Sequence, residues 1–233
     1  MEIKNIQDLI SIGGQTLKNF LTKFYALIIT PNNFLNSLKH DTTDELLNAS
    51  KFSFFIIIIN LSIISPLYRT MGIKIESTSY LLTHTILTFS IWMLYAIIFH
   101  LIAKVFRGTA LLQSTMCIFL YLSAFFPIIR ILSLPITKLS MDMIVSNNPI
   151  QFEFYIIFFK TLLNSSVLIG SFVLHIIGLL WYSICTIIGI KIINNFNYVK
   201  SSIVFFIGFI GWQLLSYSIS IHAIQILLKA YIK

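Results

Sequence analysis

Five long apolar runs, separated by short polar breaks, decide most of what this 233-residue chain can become. About 20 apolar residues in helical form match the hydrocarbon thickness of a bilayer. Five such runs with their connections use nearly the whole chain and leave no room for a separate soluble domain. Only 10% of the residues are charged and 57% are hydrophobic, against roughly 25% charged in a soluble domain. A chain this apolar has too little polar surface to cover it in water. The expectation is an all-α polytopic transmembrane bundle over residues 43–233, with spans at about 50–68, 79–105, 110–129, 163–190 and 203–228.

The N-terminal 42 residues read differently. Ile6, Leu9, Ile10, Leu17, Phe20, Leu21 and Phe24 recur at three- and four-residue spacing, with Lys4, Lys18 and Lys23 among the polar positions. That is the period of an amphipathic helix over 4–29. Gly13 and Gly14 are expected to kink it. Such a helix can lie in the membrane interface or pack on the bundle, and both readings stand. Thr30-Pro31-Asn32-Asn33 marks a stop and a new start, and Thr43 or Asp44 is expected to cap the next helix. The absence of a basic leader and of a small-residue cleavage site argues against a cleaved signal, so a later span directs insertion.

Within the bundle, Pro66 falls near the end of the first span, Gly108 makes the turn after the second, and Pro127 kinks the third. Residues 130–161 read as the longest non-spanning stretch, with Pro135, Lys138, Asp142 and the turn signal Asn147-Asn148-Pro149. Residues 151–161 form a short aromatic segment lying flat or oblique, with Glu153, Ile157 and Lys160 on one face.

The net charge of +8 sits mainly in tails and loops. In this setting it implies contact with anionic headgroups rather than with nucleic acid. Placing the N-terminus inside puts nine cations on the inner side, including Lys104, Arg107, Lys191 and Lys200, against seven outside, including Arg69, Lys74 and Arg130. The inner loops are short and free of acid, which favours a cytoplasmic N-terminus.

No chemistry-bearing motif is visible. There is no His-Glu-x-x-His, Cys-x-x-Cys, Gly-x-Ser-x-Gly or Walker-type loop. The acidic residues all fall outside the interiors of the expected spans, with no buried carboxylate partner among them. Cys117 and Cys185 lie in apolar runs and read as small core residues. His84 and His100 are sixteen residues apart on one helix, about 24 Å along its axis, and cannot share a metal. His175 is central to the fourth span. An ionisable group there is a functional hypothesis by default. The alternative is a neutral imidazole bonded across a helix interface to Asn60 or Gln113. With Asn164 these make up the intramembrane polar set, and no enzyme, cofactor or metal is expected. Small residues mark close helix approaches: Ser166 and Gly170 on the fourth span, Gly208 and Gly211 on the fifth with Ser201 one heptad above. They serve either packing within the chain or a homo-oligomer interface.

The stretch over 96–131, AIIFHLIAKVFRGTALLQSTMCIFLYLSAFFPIIRI, resembles the core of the Yip domain family, the Ypt/Rab-interacting membrane proteins and their bacterial relatives. It has a span ending in a basic residue, a glycine turn, the polar start Leu112-Gln113-Ser114, and the Tyr121…Pro127 element. TPNNFLNSL over 30–38 is similar to the family's Pro-x-x-Phe-Phe segment, with Leu35 for the second Phe. The end of the fourth span, with Gly189 before a short turn, agrees as well. The resemblance implies five spans, a cytosolic N-terminus and no enzymatic activity. The Asp-Leu-Tyr-Gly-Pro element and the long N-terminal domain of the eukaryotic members are missing, so Rab binding is not carried over. The Ile-, Phe- and Asn-rich composition looks like that of an AT-rich bacterial gene, which implies the bacterial inner membrane.

Two functions follow. One is a scaffold or adaptor that presents the N-terminal helix, the 104–109 turn and the 191–200 loop to a cytosolic protein. The other is a homo-oligomeric channel, sensor or effector, as in defence or toxin immunity, built around His175 and the glycine faces.

Overall fold

The computed structural model describes the backbone of residues 6–70, 78–146 and 152–231, and side chains over 14–66, 82–140, 142 and 156–215. Lys4, the loop residues Lys74 and Glu76, the side chains of Arg69 and Glu153, and the Asn147-Asn148-Pro149 signal lie outside these residues. Every described element is a helix: α1 Ile6–Ile29, α2 Pro31–Ser37, α3 Thr43–Thr70, α4 Thr78–Val105, α5 Leu112–Leu122, α6 Phe125–Ser146, α7 Phe152–Leu163, α8 Ser166–Asn194 and α9 Tyr198–Tyr231.

Five stretches are long and apolar enough to cross a membrane: Thr43–Pro66, Leu82–Val105, Leu112–Ser140, Ser166–Asn194 and Tyr198–Leu215. Five apolar helices in an all-helical chain are what the composition demands. Their boundaries move for local reasons. The first starts at Thr43 because the Thr42 hydroxyl accepts the Glu45 N–H at 3.3 Å, so the cap is neither Thr43 nor Asp44. The fourth starts at Ser166 because Ser165 accepts the Leu168 N–H. The fifth starts at Tyr198 because Asn197 Oδ1 accepts the Lys200 N–H at 2.8 Å.

The third span departs furthest from the expectation. It does not end before Arg130 but runs on to Ser140, so residues 130–140 belong to the span. It is also broken between α5 and α6. Pro127 has no N–H to give, and its ring crowds the carbonyl of Ser123 four residues back. That carbonyl accepts from Phe126 instead, at 3.0 Å, and the Ala124 N–H turns to Tyr121 at 3.1 Å. The expected kink is therefore a complete break one turn ahead of the proline. α6 continues through Pro135 without another.

α5 is the centre of the bundle. In its most apolar eighteen-residue stretch the third span is 56% buried, against 22–39% in the corresponding stretches of the others. Cys117, Ile118, Leu120, Tyr121 and Leu122 are each at most 1% exposed. A helix apolar all round needs neighbours all round, and α3, α4 and α8 supply them. Gly189 of α8 permits one of these approaches: a Cβ there would stand 2.7 Å from Ile118 Cγ2. The outer faces of α8 and α9 carry exposed Val173, Ile177, Leu180, Phe206 and Ile210, as lipid-facing helices do.

α1 crosses this bundle and runs unbroken through Gly13-Gly14, without the expected interruption. Phe20 packs on Phe52 and Phe55 of α3 with ring centroids 5.0 and 5.5 Å apart. Lys23 Nζ donates to the Tyr121 hydroxyl of α5 at 2.8 Å. The Trp181 indole N–H of α8 donates to the Ile28 carbonyl at 3.0 Å. Three successive turns thus meet three different helices. The other side of α1, with Leu17, Leu21, Tyr25 and Ile29, is exposed.

Candidate functional site

At one end of the bundle the α4–α5 and α8–α9 turns are joined. Both helices end on a residue in the left-handed conformation, Arg107 at φ 60° and Asn195 at φ 53°. Each is followed by a bond closing back five residues, Gly108 N–H to Ala103 at 2.8 Å and Phe196 N–H to Lys191 at 3.1 Å. The expected glycine turn thus uses Arg107 for the positive φ. Gly108 is needed for another reason: a Cβ there would overlap Asn194 Oδ1 and stand 2.8 Å from the Ala103 carbonyl. Asn194, 3% exposed, ties the turns together. Its Oδ1 accepts the Ala110 N–H at 3.2 Å and its Nδ2 donates to Ile190 at 3.1 Å. Nothing in its sequence position, inside an expected loop, marks it as buried.

The four basic residues singled out above surround this knot. Lys104 donates to the Gly108 carbonyl at 3.2 Å. The Lys191 ammonium stands 4.0 Å from the Tyr198 ring centre, and that of Lys200 4.2 Å from Phe196. Arg107 is exposed. The region read as a loop over 191–200 is mostly helix, with only 195–197 between α8 and α9.

A second polar cluster joins other helices. Glu45 accepts a short hydrogen bond from the Tyr121 hydroxyl, and Lys23 Nζ stands 3.6 Å from the same carboxylate oxygen. Glu45 is therefore a partly buried ion-pair partner, contrary to the reading that no acid has such a role. The triad joins α1, α3 and α5, and the Tyr121 ring packs between Phe34 and Phe52.

The third site is a cavity of about 350 Å³ within the spans. Asn60 of α3, His84 and Thr88 of α4, Arg130 and Ser133 of α6, and His175 of α8 supply its polar lining. From His175 to Asn194 is nineteen residues, about 28 Å of helix, so the cavity lies in the half of the bundle away from the knot. The structure brings His175 to Asn60, as one reading had it, but the two do not bond: Asn60 Oδ1 and His175 Nδ1 are both buried without a hydrogen-bond partner. Gln113 is not there. It sits in the first turn of α5, its Nε2 also buried and unpartnered. Asn164 is exposed between α7 and α8. His100 is apart as expected, its Nδ1 3.1 Å from the Thr115 hydroxyl.

His84, Thr88, Arg130 and Ser133 went unnoticed as a set. The one legible signal was that the sequence stays apolar on both sides of Arg130, in IIRILSLPI. Among the described residues no three His, Cys, Asp or Glu side chains converge as a metal site would.

Of the small residues, Gly208 is packed within the chain, since a Cβ would stand 2.6 Å from the Phe99 ring. Gly170 and Gly211 face open space, and Ser166 is exposed.

Fold and sites together define a polytopic α-helical membrane protein with five spans, a broken central span and a polar cavity inside it. The chain matches no known protein family, no curated protein and no solved structure.

Proposed function

We propose that the chain is a non-enzymatic integral membrane scaffold that holds an acidic cytosolic partner on the face formed by its two joined turns. One observation carries this reading: Asn194 binds two turns 84 positions apart into one body. Lys104, Arg107, Lys191 and Lys200 are thereby displayed in fixed relation. Preorganised cations hold a partner at lower entropic cost than mobile ones. The face then lies in the cytoplasm of a bacterial cell, at the inner membrane, with the N-terminus on the same side. The exposed Leu17, Leu21, Tyr25 and Ile29 of α1 fit the lipid interface there. A bacterial Yip-type protein is in keeping with these features.

The test compares proteins copurifying with the wild type and with the Lys104→Glu, Arg107→Glu double variant. Loss of one defined partner at wild-type expression is the expected result. An unchanged set would sink the scaffold reading.

The second reading, a homo-oligomeric channel or sensor, is favoured by Gly170 and Gly211, which face open space, and by the polar cavity at His175. It expects a defined oligomer by native mass spectrometry and ion flux in liposomes that His175→Ala alters. A monomer with silent liposomes removes it.

A further inference from the structure

We infer that the cavity around Arg130 and the aromatic groove beside it form one binding site for a single-chain anionic amphiphile, its head on Arg130 and its chain in the groove. Arg130 lies within the third span, Leu112–Ser140, eight residues or about 12 Å before the next cation, the exposed Lys138. A cation at such depth is costly unless it faces a partner or a polar cavity. Among the described residues Arg130 has no carboxylate partner, the ion pair present being Lys23–Glu45. Around it stand groups that can hold an oxyanion. Among the described residues, Asn60 Oδ1 and His175 Nδ1 have no hydrogen-bond partner. Each can present an N–H, by amide orientation or tautomer. The Thr88 and Ser133 hydroxyls also line the cavity but are already engaged, Thr88 3.5 Å from His84 Nδ1 and Ser133 donating to the Arg130 carbonyl at 3.1 Å. Among the described residues that line the cavity there is no acid.

The neighbouring groove, about 320 Å³, shares Trp92, Phe126 and Ile129 with that cavity. The rest of its wall is mainly apolar and aromatic, including Tyr95, Tyr182 and Trp212. Ile91, Leu179 and Phe209 at its rim are exposed, which gives access from the lipid. Ligand pockets run from about 300 to 1,000 Å³, apolar with a few convergent polar groups. A groove at the lower end of that range suits one chain rather than two. An inorganic anion would use only the polar part, whereas an amphiphile uses both parts and their shared wall.

Trp92 lines both parts and Trp212 the groove, so quenching by a chain-brominated fatty acid reports occupancy. The full chain in zwitterionic nanodiscs, at about pH 9 where a carboxylate is ionised, is titrated with the acid and with its methyl ester. The acid should bind at least about tenfold more tightly than the ester. Arg130→Gln should close that gap and Arg130→Lys should keep most of it. Ser183→Phe, which narrows the groove at its wall, should weaken the acid severalfold and leave the fold intact. Equal quenching by acid and ester in the wild type means partition into lipid and overturns the proposal. Inorganic phosphate that displaces the acid at comparable concentration, with Ser183→Phe silent, means a free-anion site and overturns it too. If Arg130→Gln does not fold, Arg130→Lys and Ser183→Phe still decide.

Discussion

Asn194 shows how much one side chain can carry. It closes the C-terminal turn of α8 and caps the approach to α5 through the Ala110 N–H. Asn194→Leu leaves that N–H buried and unpaired, at a cost of about 1–3 kcal/mol. Thermal unfolding in detergent should show the loss, and the half-buried Lys200 should become more accessible to chemical modification. His40 carries a pH dependence. Burial pushes its imidazole below the usual value of 6.5, against a smaller upward pull from Asp41 and Glu45. Its Nδ1 is buried without an acceptor for a second proton. The folded chain therefore binds a proton at His40 less readily than the unfolded chain. The stability this contributes is complete above about pH 6.5 and is lost as pH falls below it. Amide exchange over residues 38–46, corrected for intrinsic rate, should quicken below that pH, and His40→Gln should abolish the change. Of these residues, the basic ones were legible because charge between apolar runs stands out. Asn194 and Glu45 were not, because a polar residue near a span end reads as exposed until a neighbouring helix covers it.

The elements follow the same division. Hydropathy located five spans, and the proline at 127 located trouble in the third. That span runs past Arg130 toward Lys138 because a cation can be tolerated where it faces a polar cavity, as Arg130 does, and a linear hydropathy reading sees only the charge. Glycines show the limit most plainly. Gly208 and Gly211 are three apart on α9, yet only Gly208 meets a neighbour, the Phe99 ring at 2.6 Å. Gly208→Ala should cost about 1–3 kcal/mol by overpacking. Gly170→Ala and Gly211→Ala should be neutral or gain up to about 1 kcal/mol from helix propensity. Unfolding midpoints of the three variants in one detergent check this contrast. A loss as large at Gly211 would mean that its open face is covered by a second copy of the chain.

The assembled bundle has a polarity that its parts lack. The knot lies toward one end and the Arg130 cavity toward the other, and α1 is strapped across α3, α5 and α8, contributing Lys23 to the triad with Glu45 and Tyr121. With the N-terminus inside, Thr109→Cys should react with an impermeant maleimide only in inside-out vesicles, and Asn164→Cys only in right-side-out cells. The native Cys117 and Cys185, both fully buried, should stay silent. The reverse pattern would invert the orientation. What the amino-acid order settles is the solvent and the element type. Long apolar runs have one stable state in lipid, a helix that satisfies its own backbone, and caps and prolines set where each begins or breaks. What only the folded bundle decides is which polar groups meet. Asn60, His84, Arg130 and His175 come from four helices, and no local rule relates their rotations about those axes. Close packing of side chains fixes those rotations, and with them the cavity and the knot.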